Sequence, residues 1–391
     1  MVVGAVGPVV VDRAVVEGDE AVGRAVIPQP DSTRTDARTP QTEPLAHTEN
    51  LFERTAVRST PPLCHHPPRF RGHGPEKYLF PPSMPADRST ADSPLGIMGS
   101  MPELPEVQAL VEFLDNQMRG RRVERCELGA IAALKTFDPR LDDLVGRPVS
   151  SCSRRGKFVC LDFDGLWLVV HLALGGWVKW WDSLPATKAR PSRSPIALRV
   201  GLSADDFAPS PGFDVTEMGT EKRLALWVVH RPEEVEPLAA LGPDPLAPGF
   251  DVDTLAAILS RAPGTIKNAL STQSLIAGVG NAYSDEILHA AKLSPFKPAA
   301  KLSADELARA FEATVTILTE ATERASGRTA KELKAEKKRT MRVHGRTGQD
   351  CPVCGDVVRE VSFATKSLQY CATCQTGGKP LADRRLSRLL K

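Results

Sequence analysis

The sequence predicts an α+β multidomain chain: an N-terminal β-sandwich with flanking helices, then a helical domain, then a small cysteine hairpin. Three observations carry this. Short β-rich runs separated by turn residues crowd the stretch from 122 to 230. Apolar spacing turns helical after the proline-rich segment Arg231 to Asp251. Two cysteine pairs, Cys351-x2-Cys354 and Cys371-x2-Cys374, stand sixteen residues apart near the end. At 391 residues the chain can bury a sizeable core divided over two or three domains.

Taken in order, residues 1 to about 97 are rich in Pro, Arg, Thr, Asp and Glu and show no sustained apolar period. They read as a disordered extension spanning 1–100. It is either the product of a start assigned too far upstream or a regulatory or targeting tail. Met98 and Met101 are both candidate starts, and only Met101 puts proline second. Val107, Leu110, Val111, Leu114 and Met118 recur at helical spacing, with Pro105 tolerated in the first turn. The runs 122–128, 158–163, 166–172, 177–181, 196–202 and 224–230 are expected strands, closing a sandwich domain over 101–231. A linker, 232–251, precedes a helical domain, 252–343, with helices expected at 252–260, 265–270 and 279–291. A longer helix starts at Ser303, where Ser303-x-x-Glu306 is a capping box. The hairpin occupies 344–376 and a basic tail 377–391. An active cleft would lie between sandwich and helices.

The formal charge of +2 makes no case for a polyanionic partner by itself. Local charge says more: from Arg328 to Arg346 basic residues crowd against only Glu332 and Glu336, a run that reads as a phosphate-facing strip or a solvated helix face. No apolar stretch is long enough to span a bilayer and no secretory signal opens the chain, so a cytoplasmic protein is expected. The paired cysteines, set against the scattered Cys64, Cys126, Cys152 and Cys160, suit a reducing compartment with one metal site. Two close pairs can give four thiolates to a tetrahedral zinc ion with no open position, so Cys351, Cys354, Cys371 and Cys374 are assigned one structural zinc. No organic cofactor is called for.

A proline directly behind a possible initiator Met101 can become a free secondary amine, and such an imino nitrogen is a nucleophile. Inside a chain that starts at Met1 the same nitrogen is an unreactive amide. The glycine turn Gly278-Val279-Gly280-Asn281 opens a helix, where small residues and free N–H groups suit a phosphate, although ordinary glycine punctuation would look the same.

These residues resemble a known family. Pro102-Glu103-Leu104-Pro105-Glu106-Val107 looks like the opening of the formamidopyrimidine-DNA glycosylases, relatives of endonuclease VIII. Further landmarks follow in order: Arg154-Arg155-Gly156-Lys157, His171-Leu172, Leu241-Gly242-Pro243-Asp244-Pro245-Leu246, Gly278 to Tyr283, His344-Gly345-Arg346-Thr347-Gly348, and the cysteine quartet. The resemblance covers roughly 101 to 375. It implies a base-excision-repair enzyme that removes oxidised bases from double-stranded DNA and then cuts the strand as an abasic-site lyase. It also implies a helix-two-turn-helix arrangement in the helical domain. Pro102 would attack the sugar through a Schiff base and Glu103 would shuttle protons, although Pro-Glu also begins many helices for capping reasons. Lys157 would hold the phosphate beside the lesion and assist elimination, if it is not simply an exposed basic strand edge. His171 would lie near the cleft, or in the core. Asn281 and Tyr283 would face DNA, with Lys267 adding a charge.

The pattern also departs from the family. Leu174, Lys222 and Leu224 stand at the wedge positions where Met, Arg and Phe are usual, and lysine lacks the arginine fork that reads an orphaned base. Lys366 stands where the hairpin usually carries an arginine for phosphate and the second elimination. The segment Arg328 to Val343 is shorter and more basic than a lesion-capping loop. Formamidopyrimidines or, in the manner of endonuclease VIII, oxidised pyrimidines are therefore alternative substrates to 8-oxoguanine. A non-catalytic reader of damaged DNA is another alternative if the amino-terminal extension is retained. A monomer is the default.

Overall fold

The computed structural model describes residues 101–189, 194–205, 208–363 and 367–382. The amino-terminal extension, Lys366 and the basic end from 383 lie outside the described residues.

Helix α1, Leu104–Met118, opens the chain. Glu103 is its N-cap in extended conformation, and the Glu103 N–H donates to Glu106 Oε2 at 2.9 Å, so a capping box fixes the first turn. Val107, Leu110, Val111, Leu114 and Met118 are buried in the sandwich core, whereas Leu104 is buried in the helical core. The beginning of α1 therefore lies where the two cores meet.

Eight strands follow: β1 Val123–Leu128, β2 Ser151–Arg155, β3 Phe158–Phe163, β4 Leu166–His171, β5 Gly176–Trp181, β6 Ile196–Leu202, β7 Gly212–Glu217 and β8 Ala225–Val229. They form two four-stranded antiparallel sheets, ordered β1-β6-β7-β5 and β2-β3-β4-β8. Two of these strands are additions to the expected set. Strand β2 reads Ser-Cys-Ser-Arg-Arg and sits at a sheet edge, so it lacks an apolar face. Strand β7 hides its alternation behind Asp214, which is buried because it meets a cation.

That cation is Arg199 on β6. Its Nε and Nη2 donate to the two Asp214 oxygens at 2.6 and 2.8 Å, and Trp181 Nε1 adds a third bond at 2.9 Å. Both side chains are almost fully buried. A buried pair of this kind contributes little against well-packed apolar residues, but breaking it leaves an uncompensated charge. Asp214→Ala should cost about 3–5 kcal/mol in denaturant unfolding, and the double change Arg199→Met with Asp214→Leu should recover most of that loss.

The former linker holds a short helix, α2 Glu236–Ala239. The helical domain comprises α3 Val252–Arg261, α4 Ile266–Ser271, α5 Asn281–Ala290, α6 Ala304–Ala325 and α7 Leu333–Thr340. Helix α6 begins with the expected capping box at Ser303 and Glu306. Helix α7 lies within the basic run that reads as a phosphate-facing strip or a solvated helix face; its buried positions are Leu333, Glu336 and Lys337, a helical spacing written mostly in charged residues. The hairpin pairs β9 Val358–Ser362 with β10 Ser367–Cys371 and ends in α8, Ala372–Thr376. The two large cores consist of residues from Leu104 onward, so the segment from Pro102 contains the cores it needs to fold. No helix among the described residues is long and apolar enough to cross a membrane.

Candidate catalytic centre and zinc module

The start of α5 has exposed backbone donors and no capping side chain of its own, because its N-cap is Gly280. Glu103 supplies the missing acceptor from α1. Its carboxylate takes the N–H groups of Gly280 at 2.6 Å, Ala282 at 2.9 Å and Tyr283 at 3.3 Å. A side chain at 280 would meet the Glu103 carboxyl carbon at 2.5 Å and Lys157 Nζ at 2.4 Å, which explains the glycine. Gly278 is required twice, by a φ of +84° and by the approach of Leu104 to 2.7 Å of its absent Cβ.

Burial works against the Glu103 charge. Lys337, Lys157, the Ala282 N–H and His344 more than offset it, bringing the pKa down to about 2. The resting group is thus a carboxylate, equipped to accept a proton before it donates one. Pro102 is buried beside it, with its nitrogen in the amide that joins it to Met101. Met101 lies between two lysines: its carbonyl accepts Lys337 Nζ at 3.1 Å and its sulfur is 3.9 Å from Lys157 Nζ.

Two members of this centre were missed in the sequence. Glu106 joins the Glu103 N–H, the Tyr283 hydroxyl at 2.6 Å and Lys337 Nζ at 2.9 Å. It stood inside the opening motif but was assigned no role there. Lys337 comes from α7, was hidden in the basic run, and lies 3.7 Å from Glu103 and 5.0 Å from the Tyr283 ring centroid. Other cations of that run are also engaged, since Arg328 and Arg339 both pair with Glu336.

The remaining sequence-selected residues separate by exposure. His171 ends β4 and packs on the Phe158 ring at 4.8 Å; burial, with Lys157 nearby, lowers its pKa to about 4 and leaves it neutral at pH 7. Tyr283 is buried and its hydroxyl donates to Glu106; burial, then the Glu106 charge, holds its pKa well above 10. Lys267 is turned inward, its ammonium donating to Asn281 O at 2.7 Å, Ser284 Oγ at 2.8 Å and Asp285 Oδ1 at 2.6 Å. Its charge therefore organises α5. Asn281 lines a cleft of about 410 Å³ with Lys267, Asn268, Phe296, Phe363 and Ser367, and donates to Ser367 O at 2.8 Å. Of the wedge positions, Leu174 is 42% exposed, Lys222 donates to Glu217 O at 2.6 Å, and Leu224 is only 3% exposed in the sandwich core. Leu224 would have to leave that core to enter a base stack.

Two sequence motifs also meet. Arg154 pairs with Asp244 at 2.7 Å, and Gly156, at φ +57°, lets Leu241 come within 3.0 Å of where its Cβ would stand.

Helix α5 joins the catalytic centre to the cysteine module. Asp285 Oδ2 meets His344 Nδ1 at 2.8 Å, while Glu286 accepts the N–H groups of Arg342, Val343 and His344 at 2.8, 2.9 and 2.9 Å. In the module, Cys354 Sγ is 3.3 Å from Cys371 Sγ, and Cys351 Sγ is 3.9 Å from Cys374 Sγ. These two sulfur pairs suit thiolate ligation of one structural zinc, and Cys351, Cys371 and Cys374 also form, with His289, a set of donor atoms that all lie within 4.8 Å of one another. His289, on α5, also escaped sequence reading; its Nε2 lies 3.3 Å from Cys351 Sγ.

Comparison with known proteins gives a consistent picture. Three family models match: the formamidopyrimidine-DNA glycosylase N-terminal domain over 101–210, the formamidopyrimidine-DNA glycosylase H2TH domain over 241–332, and the zinc finger found in FPG and IleRS over 348–377. The formamidopyrimidine-DNA glycosylase of Geobacter metallireducens is 30% identical over 278 residues, 71% of this chain and 100% of its own. An uncharacterized formamidopyrimidine-DNA glycosylase-like protein of Mycobacterium tuberculosis is 59% identical over 152 residues, 39% of this chain and 95% of its own. The crystal structure of the MutM (Fpg) protein from Thermus thermophilus superposes with a TM-score of 0.58 at 28% identity, covering 71% of this chain and 100% of that one. A Lactococcus lactis Fpg, bound non-covalently to DNA containing an abasic site, shares the fold with a TM-score of 0.60 at 24% identity over 70% of this chain and 99% of its own.

Proposed function

The chain belongs to the formamidopyrimidine-DNA glycosylase family, and on that premise we propose that it excises oxidised bases from double-stranded DNA and cuts the resulting abasic site through an imine on Pro102. The observation that carries this reading is the placement of Pro102 beside an ionised Glu103, with Lys157 and Lys337 both in contact with the residue ahead of it. Attack of the proline nitrogen on C1′ forms the N–C bond and breaks the glycosidic bond. The departing base leaves with the bonding electron pair. Glu103 takes the proton shed by the nitrogen and passes it to the ring oxygen, which opens the sugar to an iminium. The iminium acidifies the C2′ proton; its removal expels the 3′ phosphate oxygen, and water then frees the enzyme. Lys157 holds phosphate during these steps. Zinc supplies no chemistry; when bound, it holds the hairpin in shape.

This reaction requires a free proline nitrogen, so the active form begins at Pro102. Reduction by borohydride should lock an adduct with abasic-site DNA in protein produced from Met101, whose methionine is trimmed. The full 391-residue chain should give none. Absence of adduct from the shorter protein, with DNA binding intact, would favour the second reading, a non-catalytic reader of damaged DNA. That second reading holds if the residues ahead of Pro102 stay attached, since the Pro102 nitrogen is then an amide. Leu174 is exposed at the expected wedge position and Lys222 lacks a planar fork, so oxidised pyrimidines stand as the alternative to oxidised purines. Side-by-side excision of 8-oxoguanine and an oxidised pyrimidine decides it.

A further inference from the structure

We propose that Lys337 is a positioning residue of this reaction: its ammonium offsets the acid pair beside Pro102 and so keeps the proline amine in its neutral, nucleophilic form. The inference rests on the Pro102 reading above.

The geometry starts from Glu103 and Glu106, two buried carboxylates on the first turn of α1. Left alone, both would hold a neighbouring amine in its charged form. Lys337 answers both, at 3.7 Å from Glu103 and 2.9 Å from Glu106. Its own burial disfavours its charge, but Glu106 and then Glu103 outweigh this and keep it protonated. The Met101 carbonyl oxygen that accepts Lys337 Nζ at 3.1 Å is about 2.3 Å from the proline nitrogen across one amide. The ammonium is therefore within roughly 5.4 Å of that nitrogen, and removal of Met101 leaves it facing the new amine. A like charge at this range lowers an amine's proton affinity by about one unit or more.

Groups from the other packed elements act in the same direction or not at all. Lys157, from the turn between β2 and β3, adds a second positive charge beside Met101. His171 on β4 is neutral at pH 7, and the Tyr283 hydroxyl on α5 keeps its proton. His344, held by Asp285, adds positive charge toward Glu103, and Arg324 on α6 pairs with Glu320. Lys337 is therefore the cation that offsets Glu106 directly.

The test is the pH profile of borohydride trapping on abasic-site DNA, using protein that begins at Pro102. Lys337→Met should raise the apparent pKa of adduct formation by about one unit, cutting the rate roughly tenfold near neutral pH and leaving the alkaline plateau intact. Lys337→Arg should keep the wild-type profile. An unchanged profile in Lys337→Met, or loss of adduct at every pH with DNA binding intact, overturns the proposal. Wild-type protein that forms no adduct would instead overturn the Pro102 reading. Proline nitrogen NMR on the wild type tests the point without any variant. The amine should titrate below about 7.7, the usual α-amino value, and titration at or above that value is equally fatal.

Discussion

Glu103→Gln should reduce base release by about three orders of magnitude, the scale on which a positioned acid–base group acts. The amide could not take the proton that Pro102 would shed in the proposed reaction, and its NH2 would face backbone donors at Gly280, Ala282 and Tyr283. The substitution also has a stability signature with a definite sign. The folded pKa of about 2 lies below the ordinary 4.5, so the ionised Glu103 stabilises the fold fully above pH 4.5, and that contribution disappears as pH falls through 2. A shift of that size corresponds to about 3 kcal/mol. The Gln variant should be less stable at pH 7 by an amount of this order, with a flatter acid limb between pH 4.5 and 2. Single-turnover excision and urea unfolding at several pH values check both parts. Full activity with an unchanged acid limb would reduce Glu103 to a helix cap.

Much of this architecture could be read from the sequence because burial leaves a period. Helix α1, strands β3 and β6 and the capping box of α6 stood where apolar spacing and local capping chemistry placed them. Several of the positions that escaped share a physical cause: charge buried against charge. Asp214 on β7 and Lys337 on α7 occupy inward positions because each meets an opposite charge from another element, and Glu336 because Arg328 and Arg339 both pair with it. A periodicity argument counts such positions as solvent. The same blindness inverted Lys267, whose charge looked available for DNA but is satisfied by Asp285. The cysteine spacing was legible because each Cys-x2-Cys pair brings two thiolates together on one short turn, a local pattern that needs no knowledge of the tertiary fold. The approach of His289 to Cys351 arises from packing between α5 and the hairpin and had no local signal.

Loss of zinc should act on the catalytic centre as well as on the hairpin, and α5 is the reason. Its first turn receives Glu103, and its middle, through Asp285 and Glu286, holds the backbone at 342–344 and Gln369. Burial pushes the Glu286 pKa up, and three backbone N–H groups at Arg342, Val343 and His344 pull against it. If the hairpin melts, those donors leave and a buried carboxylate loses its partners. The zinc ion itself is worth on the order of 10 kcal/mol of local folding energy in modules this small, far more than the strands β9 and β10 can supply alone. Cys371→Ser, or extraction with a strong chelator, should therefore release the metal and weaken binding to abasic-site DNA by about ten- to a hundredfold. That is the scale of one charge-assisted phosphate contact. The sandwich, whose core contains no residue of the hairpin, should keep its own unfolding transition. Metal analysis, DNA titration and calorimetry on one preparation separate these effects. A protein that loses zinc yet binds DNA with unchanged affinity would show that the hairpin stands apart from the DNA face and that α5 transmits nothing between them.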